Sequence, residues 1–595
     1  MHTRTKIVCT IGPAVASYEK MVALIEAGMN VARLNFSHGT HEEHERNIKN
    51  LKKARQQTKR PLALMLDMKG PKIRVEKIKN DALTLQPKQR IRLVEKGDGT
   101  ANAIPFHPFE VAQALHPGTR ILFDDGYIIG EVVEVDEKGV VVEIQNSGVL
   151  KSDKGINIPG AHLPLPAMTE HDFEDLLFGC QHDIDLVAAS FIRSSHHVLS
   201  IKEFLAKQGK SNIPVIAKIE STQGVENFDS IVQVADGIMI ARGDLGVEVD
   251  LALVPKLQKM MIRKCYQACK PVITATQMLE SMIVHPRPTR AEVSDVANAI
   301  YDGSSAIMLS AETAVGSYPI ETVQRMKSIA KEAEADFNYR QFFEFHSHRD
   351  YHDISSAVAM ASVKTAYSAN AKAIFAFTAS GTTAHLVSRL LPEMPIIAVT
   401  PDEKNYHQLG AYWGIIPVLC PHCKDAKEAF AAASDYALAH GIISFGDVVV
   451  VTAGVPFGKK GTTNMMSVEN IGDVLVRGHK GFGHKVTGKV SILLSPEGCN
   501  PEDLEGRLVV IRHCDNSFLP ALKQAAGVIL QNHIGDSASE KYAALLAKTF
   551  EISVMTRADG AVSILKEGEE VTLDPQRGLI YLGSEEQLDR FTIES

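Results

Sequence analysis

Eight short apolar runs rich in β-branched residues constrain the fold of the N-terminal part of the chain more than any other feature. Most are followed by a segment with the apolar periodicity of an amphipathic helix. The runs are residues 6–11, 31–37, 61–67, 185–191, 214–220, 237–243, 271–277 and 305–310. Runs this apolar suit parallel strands that are buried on both faces. Eight strand–helix units predict a (β/α)8 TIM barrel, whose active site lies at the carboxyl ends of the strands.

The barrel pattern is interrupted after its third strand. Residues 90–94, 119–123 and 139–144 are β-type stretches, separated by turns such as Gly97-Asp98-Gly99. We therefore expect an inserted β-barrel domain over residues 71–167, placed to act as a lid above the barrel mouth. The catalytic barrel then comprises residues 1–70 and 168–345.

Two further domains follow the barrel. Residues 346–472 carry alternating helix and strand patterns, with a helix over 355–368 and strands over 373–378, 395–399 and 447–451, and they predict a smaller α/β domain. Residues 473–595 are again rich in β-type stretches and predict an extra C-terminal domain.

Composition excludes several classes of function. The net charge of -8 argues against an electrostatic nucleic-acid binder. No apolar stretch reaches the roughly 20 residues of a membrane span, and the N-terminus lacks the apolar core of a signal peptide, so we expect a cytoplasmic protein without a membrane partner.

The cysteine spacing leaves one alternative open. Cys420-Pro421-His422-Cys423 has the spacing of a thiol–disulfide oxidoreductase site, but it is also compatible with an ordinary loop at a strand end. A redox site needs a helix that begins at the first cysteine. The helical pattern begins later, near Lys424, which favours the loop.

Polar side chains stand at the carboxyl ends of six predicted barrel strands. They include Arg33, Asn35 and Ser37, then Asp67 and Arg74, Lys218 and Glu220, Arg242 and Asp244, Thr276, and finally Ser310 and Glu312. A solvated rim would explain one such strand but not six that converge on one face. The carboxylates imply Mg²⁺ and the cations imply a bound phosphate. No GxxxxGK[ST] loop is present, so the residues alone predict a metal-dependent barrel enzyme for a small phosphorylated acid.

Several long motifs resemble those of the pyruvate kinase family. They are TKIVCTIGP at 5–13, NVARLNFSHG at 30–39, ARGDLG at 241–246, TATQMLESM at 274–282 and PRPTRAE at 286–292. The resemblance covers residues 1 to about 470. It implies transfer of a phosphoryl group from phosphoenolpyruvate to ADP, giving pyruvate and ATP, in a homotetramer.

The resemblance also implies roles for individual residues. Glu220 and Asp244 would hold Mg²⁺ or Mn²⁺, and Arg33 and Lys218 would bind the transferring phosphoryl group. Arg242, Gly243, Asp244 and Thr276 would receive the substrate carboxylate, and Thr276 would deliver a proton with Ser310 and Glu312. Pro13, His38, Arg74 and Lys154 would contact the nucleotide.

One departure from the family pattern concerns the monovalent cation. Residues matching Asn35, Ser37, Asp67 and the Met68 carbonyl hold K⁺ in many family members. Here Lys72 replaces a glutamate, as in the K⁺-independent branch, where the lysine ammonium fills the monovalent-cation position. The resemblance therefore implies that K⁺ is not required; the alternative is that Lys72 points to solvent at the lid hinge.

The C-terminal half suggests regulation. The loop Thr378-Ala379-Ser380-Gly381-Thr382-Thr383 reads either as a helix cap or as a phosphate cradle, and it aligns with the sugar-phosphate effector pocket of the family. Lys459 and Lys460 would add charge there. We expect activation by a phosphorylated metabolite, a sugar phosphate or a nucleotide.

The extra domain resembles the swivelling phosphohistidine domain of phosphoenolpyruvate-utilising enzymes. Ungapped counting places Ala538 where that domain has its phosphorylated histidine, and alanine cannot accept a phosphoryl group. His533 is close in sequence but shifted. We expect a structural or regulatory role. This loss disfavours a phosphotransfer carrier, and the complete barrel set disfavours a non-catalytic binding protein.

Overall fold

All eight apolar runs form strands in the computed structural model, which describes residues 3–346, 353–456, 461–472, 474–497 and 499–583. The strands are β1 (Lys6–Ile11), β2 (Val31–Asn35), β3 (Ala63–Asp67), β4 (Ile73–Val75), β5 (Ala82–Leu85), β6 (Arg90–Val94), β7 (Ile104–His107), β8 (Arg120–Phe123), β9 (Ile128–Asp136), β10 (Gly139–Ile144), β11 (Gly148–Lys151), β12 (Gly155–Asn157), β13 (Leu186–Ala189), β14 (Val215–Ile219), β15 (Gly237–Ala241), β16 (Val272–Ala275), β17 (Ala306–Leu309), β18 (Ala373–Phe377), β19 (Ile396–Thr400), β20 (Ile415–Leu419), β21 (Val448–Ala453), β22 (Met465–Asn470), β23 (Val474–Arg477), β24 (Lys480–Phe482), β25 (Val486–Ile492), β26 (Leu508–Ile511), β27 (Gly527–Leu530), β28 (Ser553–Thr556), β29 (Glu570–Asp574) and β30 (Leu579–Leu582).

The helices alternate with the strands through most of the chain. They are α1 (Tyr18–Ala27), α2 (His41–Thr58), α3 (Glu170–Gln181), α4 (Ser195–Lys207), α5 (Thr222–Glu226), α6 (Phe228–Val234), α7 (Arg242–Glu248), α8 (Val254–Ala268), α9 (Arg290–Tyr301), α10 (Ala311–Ala314), α11 (Pro319–Asp336), α12 (Tyr339–His346), α13 (Ile354–Ser368), α14 (Thr382–Ser388), α15 (Glu403–Leu409), α16 (Ala426–Ala439), α17 (Leu519–Leu522), α18 (Ser537–Phe550) and α19 (Ala561–Ile564). Short 3₁₀ turns lie at Pro13–Val15, Lys79–Asp81, Phe109–Ala114, Leu251–Leu253, Glu280–Ile283, Pro501–Leu504 and Asn516–Phe518.

The first barrel is closed and parallel, in the order β1-β17-β16-β15-β14-β13-β3-β2. Side chains alternate along each strand, so successive residues face opposite sides of the barrel wall. Val8, Met65, Met239 and Met308 therefore pack in its interior, whereas their strand neighbours pack against the surrounding helices. This confirms the predicted (β/α)8 barrel.

The loops at the carboxyl ends of the strands are held by close packing and by capped helices. A Cβ atom added to Gly12, just after β1, would lie 2.6 Å from the carbonyl oxygen of Ala314, so the chain passes too close for any side chain there. Helix α2 begins with a capping box between Thr40 and Glu43, which satisfies amides at its N-terminus. Such anchoring fixes the strand ends that carry the site.

The insertion after β3 is a second closed barrel, in the order β10-β6-β7-β4-β12-β8-β9. Strands β5 and β11 form a separate antiparallel pair. Phe106 and Phe123 are fully buried in the core of this barrel. The predicted all-β lid is therefore confirmed as an architecture, while the limits of all four domains stay predictions.

The chain divides into two units, Met1–Tyr351 with Ala379–Pro421 and His352–Thr378 with His422–Ser595. The first unit contains both barrels and the parallel pair β19–β20. In the second unit β18 pairs with β21 in parallel, and β21 pairs with β22 antiparallel. The second unit also contains a mixed sheet in the order β23-β30-β29-β25-β26-β27-β28-β24. Among the helices that the structure describes, none has the length and apolarity needed to cross a bilayer.

Candidate active site

Asp67 is the buried centre of the predicted site. It ends β3 and accepts hydrogen bonds from Arg33 Nε at 2.5 Å and from Lys218 Nζ at 3.0 Å. Burial alone would raise the pKa of Asp67, but the charges of Arg33 and Lys218 outweigh it and lower that pKa. Arg33 also donates from Nη1 to Thr10 Oγ1 at 2.9 Å. The two cations are thus fixed side by side by one carboxylate.

Lys218 is buried and fully engaged. Its Nζ lies 3.0 Å from Glu220 Oε1 and donates to Ser190 Oγ at 2.6 Å. Burial lowers the pKa of Lys218, yet the charges of Asp67 and Glu220 produce a net increase. The ammonium therefore stays charged at neutral pH and presents a preorganised positive group at the barrel mouth.

Glu220 and Asp244 form the predicted metal-binding pair. Burial and the charge of Asp244 raise the pKa of Glu220 against the opposing effect of Lys218. The Phe191 amide donates to Glu220 Oε2 at 2.5 Å, and Asp244 is one-third exposed at the start of α7. The carboxylates repel each other and offer hard oxygen donors, so they fit a divalent cation.

The described residues contain no set of three or more His, Cys, Asp or Glu side chains suited to a metal ion. Mg²⁺ takes one or two carboxylates and completes its shell with water and substrate oxygens, so Glu220 and Asp244 alone would be enough protein ligands for it.

Thr276 follows β16 in an unfavourable backbone conformation. Its φ is +71°, which β-branched residues rarely adopt, and the next residue, Gln277, has a φ of +54°. The Gly243 amide donates to Thr276 Oγ1 at 2.8 Å, and Arg242 Nη2 donates to the Thr276 carbonyl at 2.8 Å. Arg242 is itself held by Asp295, at 2.8 Å from Nη1. Such strain persists only where the surroundings enforce it, and it is typical of functional sites.

Ser310 and Glu312 lie beyond the end of β17. Ser310 Oγ is buried without a hydrogen-bond partner among the described residues. Glu312 accepts from the amides of Ser310 at 2.6 Å and Leu279 at 3.2 Å, and burial raises its pKa. The Glu312 carboxyl therefore connects the loops that follow β16 and β17 through hydrogen bonds. The Ser310 hydroxyl is available to a substrate or water.

The predicted nucleotide-binding residues come from both barrels. Pro13 begins the turn after β1, and His38 lies in the turn after β2. Arg74 lies on β4 of the lid and donates from Nη1 to the Asp153 carbonyl at 2.8 Å. Lys154 Nζ lies 2.7 Å from Asp124 Oδ1, and this hydrogen bond raises the pKa of Lys154.

The structure places Lys72 differently from the expectation. Its Nζ lies 3.6 Å from Asp244 Oδ1 and 4.0 Å from Asp125 Oδ1, whereas the ion pairs of Asp67 are with Arg33 and Lys218. The prediction that Lys72 fills the monovalent-cation position beside Asp67 therefore does not match its placement. Asp67 is already neutralised, which leaves the Lys72 ammonium to pair with the more exposed Asp244.

The residues of the monovalent-cation position lie at adjacent strand ends. Asn35 is in register with Asp67, and its Oδ1 accepts from the Ser37 amide at 3.2 Å. The Met68 carbonyl accepts from Ser190 Oγ at 2.6 Å. The predicted oxygen donors are thus partly engaged by neighbours.

The predicted effector loop is described in part. Gly381 precedes α14 with a φ of +84°, and Ser380 Oγ lies 3.0 Å from Thr382 Oγ1. Among the residues that the structure describes, no side-chain hydrogen bond caps the N-terminus of α14, so the helix-cap interpretation gains no support from it. Thr383 is buried in α14, and Thr378 belongs to the second unit. Lys459 and Lys460 lie outside the described residues.

The C-terminal domain places Ala538 in the first turn of α18, after the N-cap residue Asp536. His533 lies before that helix, and its Nδ1 accepts from the Gly535 amide at 3.1 Å. The assignment of Ala538 to the acceptor position stays a prediction from the sequence.

Cys420 and Cys423 are both disulfide-bonded, but their motif does not have the helix that a redox site needs. Helix α16 begins only at Ala426 and is capped by Asp425. Neither cysteine lies at a helix N-terminus that could activate it as a thiolate.

Ser190 is the main site residue that the sequence argument missed. It joins Asp67, Lys218 and the Met68 carbonyl in one hydrogen-bonded group. The pattern that predicted the other site residues, a polar side chain at the carboxyl end of a barrel strand, could have identified it, because Ser190 directly follows β13. Thr10 was also missed, because it lies within a strand rather than after one.

Comparisons with known proteins agree with this geometry. Residues 2–323 match the family model for the pyruvate kinase barrel domain, and residues 356–469 match the model for the pyruvate kinase alpha/beta domain. Residues 504–578 match the mobile domain of PEP-utilising enzymes. The chain is 42% identical to a pyruvate kinase from Geobacillus stearothermophilus over 587 residues, which is 98% of this chain and 99% of the relative. It is 41% identical to one from Sporosarcina psychrophila over 584 residues, and 39% identical to one from Lactobacillus delbrueckii subsp. bulgaricus over 586 residues, with the same coverage.

Proposed function

The chain belongs to the pyruvate kinase family, and on that premise we propose how its residues carry out the reaction and how it is regulated. As a pyruvate kinase it transfers the phosphoryl group of phosphoenolpyruvate to ADP, forming pyruvate and ATP in glycolysis. The assignment of roles rests on one observation, a buried group of four charged residues at the barrel mouth that are joined by ion pairs. They are Arg33, Asp67, Lys218 and Glu220.

The two cations act on the phosphoryl group. Phosphoryl transfer needs little covalent chemistry from the protein, so catalysis is mostly positioning and neutralisation of charge. Arg33 and Lys218 are fixed by Asp67 before substrate arrives, and no reorganisation is needed during the transfer. Both cations would stabilise the charge on the moving group.

Glu220 and Asp244 would hold the divalent metal, Mg²⁺ or Mn²⁺. When bound, the metal supplies charge neutralisation for substrate oxygens. Arg242, Gly243 and Asp244 form the first turn of α7, and we place the substrate carboxylate beside this turn. Pro13, His38, Arg74 and Lys154 would then position the nucleotide.

Thr276 would pass a proton to the product. Loss of the phosphoryl group leaves an enolate, and protonation of its methylene carbon yields pyruvate. Thr276 Oγ1 is held by the Gly243 amide beside the proposed carboxylate site. Ser310 and Glu312 support a water-mediated proton supply, because the Ser310 hydroxyl is free to bind and Glu312 fixes its backbone.

A coupled assay tests the assignment. Purified protein with phosphoenolpyruvate, ADP and Mg²⁺ should form pyruvate, detected through NADH oxidation by added lactate dehydrogenase. Chelation of the divalent ion should stop the reaction. Pyruvate formation that persists under chelation would contradict the assigned metal.

We infer that the reaction does not require K⁺. What supports this is that Lys72 stands where the K⁺-requiring pattern has a glutamate, so it adds a positive charge at the rim of the site, 3.6 Å from Asp244 rather than beside Asp67. A lysine ammonium can replace the charge of a bound monovalent ion. The rate should be similar in K⁺ and in tetramethylammonium, and Lys72→Glu should make it depend on K⁺. A wild-type enzyme inactive without K⁺ would refute this inference.

We also infer activation by a sugar phosphate or a nucleotide at the loop of Ser380, Gly381 and Thr382. The support is the pair of hydroxyls around a glycine that permits the turn. Velocity against phosphoenolpyruvate should become less sigmoidal with one member of a panel of sugar phosphates and AMP. Unchanged curves across the panel would count against it.

We infer a structural or regulatory role for the C-terminal domain, and the support is Ala538, which ungapped counting puts where the related domain has its phosphorylated histidine. No acid-labile phosphohistidine should form on it with phosphoenolpyruvate, and detection of one would overturn this assignment. We place the enzyme in the cytoplasm as a homotetramer, and analytical ultracentrifugation tests the assembly.

A further inference from the structure

A cavity of about 240 Å³ lies at the amino-terminal end of the first barrel, opposite the active site. Its floor is formed by residues that immediately precede strands, among them Asp236 before β15 and Pro271 before β16. Its other wall comes from α14 and from Tyr412 and Trp413. All of these residues belong to the first unit. The catalytic residues lie at the other ends of the same strands and take no part in this cavity.

The cavity is lined by excess positive charge. Lys270 and Arg389 both face it. Burial lowers the pKa of Lys270; nearby Asp236 opposes this effect, and the charges of Lys202 and Arg389 add to it. The Asp236 carboxylate is already engaged by Lys202 Nζ at 2.7 Å and by the Val215 amide at 2.9 Å. An anion between Lys270 and Arg389 would relieve the repulsion of two half-buried like charges.

A buried polar atom in the same wall has no partner. His385 Nε2 is shielded from solvent and makes no hydrogen bond with any described residue. Burial lowers the pKa of His385 to about 4, so the ring is neutral and can donate or accept one hydrogen bond. The His385 ring packs on the Tyr412 ring, with 3.8 Å between centroids. A buried polar atom left unsatisfied is costly, and a bound ligand is one of the explanations for it.

The remaining walls are aromatic. Tyr266, Tyr412 and Trp413 line the cavity. Rings of this kind favour a flat apolar body, and cations favour an acidic group at its end.

We propose that this cavity binds a small metabolite with a flat apolar body and one acidic group, a carboxylate or a phosphate, held between Lys270 and Arg389. His385 makes one hydrogen bond with a polar atom of the ligand, and the aromatic rings cover the faces of its apolar body. The site is separate from the substrate site, whose residues lie at the other ends of the barrel strands.

Cys269 can report whether a ligand occupies the cavity, because its rate of labelling depends on access to its thiol. It lines the cavity and is partly exposed. Cys499, also partly exposed, lies in the other unit and serves as an internal control. Iodoacetamide labelling of each cysteine would be followed by peptide mass spectrometry in the full-length protein. Benzoate and phenyl phosphate are the anionic probes, and benzyl alcohol is the neutral one.

At a probe concentration ten times its Kd, mass action predicts labelling of Cys269 slowed by about tenfold. Cys499 labelling should not change. Protection by benzoate alone assigns a carboxylate ligand, and protection by phenyl phosphate alone assigns a phosphate. No protection by either anion, or equal protection by benzyl alcohol, would overturn the proposal.

Variants test the charge directly. Lys270→Met and Arg389→Met should each remove most of the protection, while Arg389→Lys should keep most of it. Lys207→Met is the matched control, because Lys207 is an exposed lysine paired with Glu203 on α4. Full protection in both methionine variants would contradict the assigned ligand contacts even if the cavity is occupied.

Discussion

Replacing Lys218 by methionine removes the most highly connected charge of the active site while keeping the length of its side chain. In the wild-type enzyme its Nζ contacts Asp67 at 3.0 Å, Glu220 at 3.0 Å and Ser190 at 2.6 Å, all in a buried setting. Arg33 remains in Lys218→Met and still neutralises Asp67. The variant therefore loses one of two fixed cations that face the transferring phosphoryl group.

The expected loss of activity is large. Removal of one preorganised charge from a phosphoryl-transfer site costs about 10³-fold or more in kcat, which corresponds to about 4 kcal/mol of barrier. Breaking the buried pairs also costs about 3–5 kcal/mol of folding free energy, because Glu220 loses its cation. Stability and activity should therefore both fall, and the two effects must be separated.

The informative comparison is the double variant Lys218→Met/Glu220→Gln, which removes both charges of the buried pair. The double variant leaves Arg33 and Asp67 balanced, and the amide oxygen that replaces the Glu220 carboxylate can still accept from the Phe191 amide. Urea unfolding of the double variant should show recovered stability, which would assign the stability loss of Lys218→Met to the unpaired Glu220 charge. The loss of activity is read from the folded single variant, because Glu220→Gln also removes a metal-binding carboxylate. Lys264→Met, which breaks the surface pair with Asp229, is the control and should keep full activity. Turnover within tenfold of wild type in a folded Lys218→Met enzyme would refute the assigned role.

Two further predictions concern a hydroxyl and a buried lysine. Thr276→Val should slow the exchange of pyruvate methyl protons in D₂O, measured by NMR, by about 10²–10⁴-fold, because the Thr276 hydroxyl delivers the proton. The control is Thr274→Val, which removes a hydroxyl of β16 that is hydrogen-bonded to Ser304 and should leave the exchange largely intact. Equal effects of both variants would contradict the assignment. Lys6 donates to the Ile415 carbonyl at 2.7 Å, and burial, opposed by the charge of Glu334, lowers its pKa from 10.5 to about 8. The unfolded chain then binds more protons than the folded one between those two values, so wild-type stability should gain up to about 3 kcal/mol from Lys6 as pH rises from about 8 to 10.5. Lys6→Met should lack this gain in urea unfolding, and parallel curves for both proteins would refute it.

The barrel could be predicted because its strands are buried on both faces, which leaves an unmistakable apolar run for each. The ends of those runs were less well defined. Residues 31–37 form one apolar run, but β2 ends at Asn35, since the residues beyond it turn away to build the site. The lid was predictable as β structure from its turns and short stretches, and its expected closure into a barrel is confirmed by pairings between strands that are distant in sequence.

Most of the site followed from one rule, that polar residues at the carboxyl ends of barrel strands converge. This rule does not predict which of the charged side chains form ion pairs with one another in the folded site. Asp67 pairs with both Arg33 and Lys218, whereas the Lys72 ammonium lies near Asp244. The positive φ of Thr276 was also beyond sequence reasoning, because a β-branched residue disfavours it, and the hydrogen bonds from Arg242 and Gly243 that accompany it come from a different strand end.

The most direct test of the account is ³¹P NMR of the full-length protein with phosphoenolpyruvate, ADP and Mg²⁺. The account predicts that the phosphoenolpyruvate signal is lost while the γ-phosphate signal of ATP rises in equal amount, with no protein-bound phosphorus. Phosphorus that appears instead as inorganic phosphate or as a phosphorylated protein would contradict direct transfer at the barrel mouth.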